Sequence, residues 1–142
     1  MGFNKVGGFH FGSNHVEPIS ELDAALDSEN KRDSICNSLI VLPEAFNVRK
    51  NYKAKGDSNY DPGILAELQT VSRTFHVTFV AGLIIKEYGG PDPPYSSAYL
   101  IDETCCVLVC RKYHSDRNEH NTPYSKCENH CDHQNPVWHN GD

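Results

Sequence analysis

Three observations predict an α/β fold for this sequence. Leu39-Ile40-Val41-Leu42 is an unbroken apolar run too short for a helix, and residues 77–85 are apolar and β-branched throughout, as in a central strand. Between them Ile64, Leu65, Leu68, Val71 and Phe75 recur at the spacing of one helix face. Strand, helix and strand in that order predict a parallel βαβ crossover, because parallel neighbours need a long connection and a helix supplies it.

The remaining elements follow in chain order. Residues 6–11 set Phe9 and Phe11 at alternate positions among glycines, the pattern of an opening strand that admits close backbone approach. A helix is predicted from Pro18, with Ile19, Leu22, Ala25 and Leu26 on one apolar stripe. Glu17, Glu21 and Asp23 lie near its start and Lys31 and Arg32 near its end, where each sign complements the helix dipole. Pro43 ends the pairing of the 39–42 strand, since proline has no N–H to give, and Glu44 emerges behind it.

Residues 47–61 are polar, with Arg49, Lys50, Lys53 and Lys55 interspersed with Tyr52 and Tyr60, and read as a solvated loop. Asp61 is placed to cap a helix beginning at Pro62, whose fixed φ suits a first helical position. Gly89-Gly90-Pro91 opens a loop after the central strand. Residues 98–101 and 106–110 form two further strands, and the short polar spacer Asp102-Glu103-Thr104 predicts an antiparallel hairpin. Residues 115–142 lack apolar periodicity apart from Val137 and Trp138, so an irregular C-terminal tail is expected.

A chain of 142 residues supports one modest core. Its net charge of -6 argues against nucleic acid as a partner, because a phosphate binder needs lysines and arginines gathered on one face. No apolar stretch is long enough for a membrane span and the first residues lack the apolar core of an export signal, so a cytoplasmic protein is expected. The six cysteines are then free thiols, and Cys105, Cys106 and Cys110, inside an apolar run, read as small buried hydrophobes.

Glu44 and Lys112 each follow directly on a predicted strand, at the sheet edge where open α/β folds collect functional groups. Taken singly, either is ordinarily a solvated charge. Their surroundings say more. Leu39-Ile40-Val41-Leu42-Pro43-Glu44 resembles the strand-Pro-Glu segment that carries the catalytic glutamate of the nitrilase superfamily of carbon-nitrogen hydrolases. Tyr95-Ser96-Ser97-Ala98-Tyr99-Leu100-Ile101-Asp102, followed by Arg111-Lys112-Tyr113-His114, resembles the hairpin that delivers its catalytic lysine, and Phe79-Val80-Ala81-Gly82-Leu83 is similar to its glycine-containing central strand.

The resemblance covers residues 1–114 and implies the N-terminal portion of a nitrilase-like αββα sandwich. Residues 115–142 would be a polar loop or tail leading to a missing second half. It further implies hydrolysis of nitriles or non-peptide amides by a Glu-Lys-Cys triad without a cofactor. Glu44 would be the general base that takes the thiol proton and Lys112 the stabiliser of the tetrahedral oxyanion. Substrates would be small nitriles or amides, and the complete protein would form homo-oligomers.

In that pattern the nucleophile comes after the lysine, at the end of another apolar strand. Here Cys127 and Cys131 are the only cysteines beyond Lys112, and both lie in the polar segment Ser125-Lys126-Cys127-Glu128-Asn129-His130-Cys131-Asp132-His133. A truncated product or fragment is therefore expected. Two alternatives stay open. One is a non-catalytic, nitrilase-like binding protein. The other is a small zinc protein, since His120, Cys127, His130, Cys131, His133 and His139 supply imidazole and thiolate ligands; a solvated polar loop is the plainer account of the same residues.

Overall fold

The computed structural model describes residues 2–12, 17–48, 60–86, 89 and 94–112. In chain order the elements are β1 (Lys5–Gly8), α1 (Pro18–Arg32), β2 (Ser38–Val41), α2 (Gly63–Phe75), β3 (Val77–Ile84), β4 (Ser96–Ile101) and β5 (Cys106–Arg111). The strands form a single sheet in that same order. β1, β2 and β3 run parallel, while β3 to β4 and β4 to β5 are antiparallel. The predicted β2-α2-β3 crossover and the predicted hairpin are both present, and β1-α1-β2 adds a second crossover ahead of them.

Local chemistry sets the helix ends. The Glu17 carboxylate accepts the N–H groups of Ile19 and Ser20 at 3.0 and 2.9 Å, satisfying donors that a first turn leaves without intrahelical partners. Asp61 Oδ1 accepts the Gly63 N–H at 2.8 Å, so Pro62 stands just before the first helical residue, one position earlier than its fixed φ predicts. At the far end of α2, His76 adopts φ 55° and returns its N–H to the Ser72 carbonyl, which turns the chain directly into β3.

The core lies on one face of the sheet. Leu22 and Leu26 of α1 and Ile64, Leu68, Val71 and Phe75 of α2 pack against Ile40, Val77, Phe79, Ala81, Leu83, Tyr99 and Ile101. Alternation along β3 delivers its four residues to that face, as a period of two requires. The register places Val6, Val41 and Val107 in the opposite rows, and they are 71%, 43% and 42% exposed. The unbroken apolar run of β2 predicts burial on both faces, and it is buried at Leu39, Ile40 and Leu42 but open at Val41; one layer of helices and one sheet are present among the described residues.

Two further expectations are corrected. The opening strand ends at Gly8, and Phe9 and Phe11 lie beyond it. There they gather on the fully buried Phe46, Phe11 stacked at 5.3 Å between centroids and Phe9 edge-on at 6.1 Å. The cysteines are not small core residues: Cys105 and Cys110 are exposed and Cys106 is half-buried. The cause is β5's place at the sheet edge with one face open. All four described cysteines are free thiols. Gly90, Pro91 and residues 115–142 lie outside the described residues. No helix among the described residues is long and apolar enough to cross a membrane.

Candidate active site

The segment leaving β2 stays against β3 after its strand geometry ends. Leu42 N–H donates to the Val80 carbonyl at 2.8 Å and Phe46 N–H to the Gly82 carbonyl at 2.9 Å, with Glu44 between these two anchors. A Cβ on Gly82 would sit 2.8 Å from Glu44 Cα and 3.4 Å from the Pro43 oxygen, so only a glycine lets this backbone pass so close. Ala45 turns the chain at φ 55°, a left-handed conformation that costs an alanine roughly 1–2 kcal/mol and is held here by the bonds on either side. Asn47 is buried, against its place in the predicted solvated loop.

Lys112 arrives from the other end of the sheet. It follows β5 directly, and its N–H donates to the Ser96 carbonyl at the start of β4, 2.7 Å away. From there Lys112 Nζ reaches Glu44 Oε1 at 2.8 Å. The two residues singled out in the sequence are therefore brought together. The side chains are 29% exposed for Lys112 and 59% for Glu44, which leaves the pair reachable from solvent. An ion pair this open contributes about 0–1 kcal/mol to folding.

Other ionisable groups with displaced pKa values lie away from this contact. Burial pushes the Cys106 thiol up, with the neighbouring charges of Cys105 and Asp102 adding to it. Cys106 opens β5 whereas Lys112 follows its end, a run of roughly 20 Å at strand rise, so Cys106 is not placed to act with the pair. At the hairpin turn, burial works against the charge of Asp102, yet bonds from Thr104 and Cys105 outweigh it and hold the carboxyl below its ordinary range. Burial, then the charges of Glu17 and Asp61, raise Glu67. Among the described residues no group of His, Cys, Asp and Glu could hold a metal ion, and the tail residues His120, Cys127, His130, Cys131, His133 and His139 lie outside them.

No family model and no curated protein matches the chain. Solved structures do. A carbon-nitrogen hydrolase from Helicobacter pylori G27 superposes with a TM-score of 0.62 at 18% identity, over 87% of this chain and 44% of the other. Nit3 of Saccharomyces cerevisiae, a member of branch 10 of the nitrilase superfamily, gives 0.55 at 18% identity over 79% and 43%. The chain carries part of the nitrilase fold. A glutamine-dependent NAD(+) synthetase from Cytophaga hutchinsonii shares that fold region, with a TM-score of 0.57 at 14% identity over 88% of this chain and 22% of that one. This chain spans less than half the length of each of these structures.

Within the nitrilase fold as it stands here, Gly82, which lets the Glu44 backbone pass, and the buried Asn47 carried weak signals. A glycine inside an apolar strand hints at close backbone approach, but nothing in the sequence says that the approaching chain is the one bearing Glu44. Asn47 sits among polar residues, where a buried side chain has no distinguishing pattern.

Proposed function

We propose that the chain forms the N-terminal part, residues 1–114, of a carbon-nitrogen hydrolase domain that acts on small nitriles or non-peptide amides. The observation supporting it is the contact of Lys112 Nζ with Glu44 Oε1 at the ends of β5 and β2, in a fold that carbon-nitrogen hydrolases share. Glu44 is the general base that takes the proton from a cysteine thiol, and the thiolate attacks the nitrile or carbonyl carbon. Lys112 holds the negative charge that develops on the substrate heteroatom, an interaction stronger in the transition state than in the ground state. Access from solvent suits a small substrate.

The thiol belongs to a part of the domain beyond Lys112, with residues 115–142 leading towards it, and the whole protein pairs into homo-oligomers. Assaying the chain extended through the coding sequence that follows Asp142, against a panel of short amides and nitriles, tests the reading. Release of ammonia or a carboxylic acid supports it; an extended chain with a cysteine at a strand end and no turnover of any panel member contradicts it.

A further inference from the structure

Asn47 does something that the reading above does not use. Its side-chain amide is buried and makes two hydrogen bonds to one residue of β3: Nδ2 donates to the Ile84 carbonyl at 2.6 Å, and Oδ1 accepts the Ile84 N–H at 2.9 Å. The N–H and C=O of a residue on a neighbouring antiparallel strand would present a donor and an acceptor to Ile84 in the same way. By this point β2 has ended, so the carboxamide takes the place of the missing strand at the row of Ile84.

That row continues across the sheet. Ile84 is the register partner of Ser96 on β4, and the Ser96 carbonyl accepts the N–H of Lys112 at 2.7 Å. Asn47, Ile84, Ser96 and Lys112 therefore lie in one row across the sheet, hydrogen-bonded at its two ends and joined in the middle by Ile84 and Ser96 facing each other as a non-hydrogen-bonded register pair, with Glu44 three residues before one end of the row and the lysine at the other. Gly82 completes the arrangement from below, fixing how near the Glu44 backbone lies to β3.

We infer that Asn47 is a positioning residue for the Glu44–Lys112 pair, setting the height of the glutamate segment against the row that carries the lysine. The inference rests on the functional reading of that pair, though its geometric content can be tested without turnover. Loss of the amide leaves the backbone groups of Ile84, a residue with no exposure, without these partners, and leaves the Phe46 N–H on the Gly82 carbonyl as the last backbone tie of the glutamate segment to β3.

A water-soluble carbodiimide joins a carboxylate to an amine only when the two touch, so the Glu44–Lys112 amide, read by peptide mass spectrometry on the full chain, reports the contact. The touching pair Lys5–Asp33, between β1 and the end of α1, serves as an internal reference for the fold. In Asn47→Ala the Glu44–Lys112 product should fall about tenfold relative to the Lys5–Asp33 product, the scale of losing two hydrogen bonds to a buried segment. An unchanged ratio overturns the inference and leaves the functional reading intact. Absence of the Glu44–Lys112 product in the unsubstituted chain, with Lys5–Asp33 formed, overturns both. Should Asn47→Ala not fold, hydrogen exchange on the unsubstituted chain decides: a protected Ile84 amide is expected, and exchange at the rate of an open amide overturns the clamp.

Discussion

Lys112 Nζ stands 2.8 Å from Glu44 Oε1 although 68 residues separate them in the chain. The contact is not a product of local sequence. It needs β2 and β5 to end on the same side of one sheet, and it needs the segment after β2 to cross Gly82 without a side chain in the way. Because both side chains are partly open, the pair adds little to folding.

Glu44→Gln should therefore leave the fold nearly as stable as before. Urea denaturation should show a change within about 1 kcal/mol, the range for exposed ion pairs. A loss several times larger would make Glu44 a structural residue first.

Gly82→Ala should be costly despite adding one methyl group. The new Cβ meets backbone at 2.8 Å, and backbone cannot rotate aside as a side chain would. Overpacking of this kind costs about 1–3 kcal/mol, and the same denaturation experiment reads it. Stability equal to the parent would mean that Glu44 does not pass so close.

Phe46 is fully buried and carries Phe9 and Phe11 against it. Phe46→Ala removes a ring that the surrounding core cannot replace, at about 3–5 kcal/mol, and frees the segment after β1. Near-ultraviolet circular dichroism should lose aromatic signal in parallel with the fall in stability.

Asp33 sets a pH dependence. Its hydrogen bond with Lys5, then the charge of that lysine, hold the carboxyl below the ordinary value of 3.8. A depressed carboxylate stabilises the fold above the unfolded-state value and ceases to do so as pH falls through the lower folded-state value. Asp33→Asn should accordingly be less stable than the parent at neutral pH, and the two should converge as the pH drops below about 3.8. A difference that persists or grows in acid would contradict the assignment.

Much of the architecture was legible because hydrophobic periodicity and helix-end chemistry are local. Pro18 and Asp61 marked the helix starts to within a residue, and the apolar runs marked β2 to β5. Val41 and Val107 were not legible, since an apolar residue on a sheet face looks the same whether that face is covered or open. Of the candidate site, Glu44 and Lys112 stood out by their positions behind strands and their surrounding segments. Asn47 did not, because its importance lies in a bond to a residue 37 positions away that no local pattern encodes.

The most direct measurement is steady-state hydrolysis of short amides and nitriles by the chain carried on through its downstream coding sequence, compared with Glu44→Gln and Lys112→Ala in the same background. Turnover in the parent and its loss in both variants, with folding retained, is the result expected of a base and an oxyanion-stabilising cation. Either variant working at the parental rate would contradict the roles given to this pair.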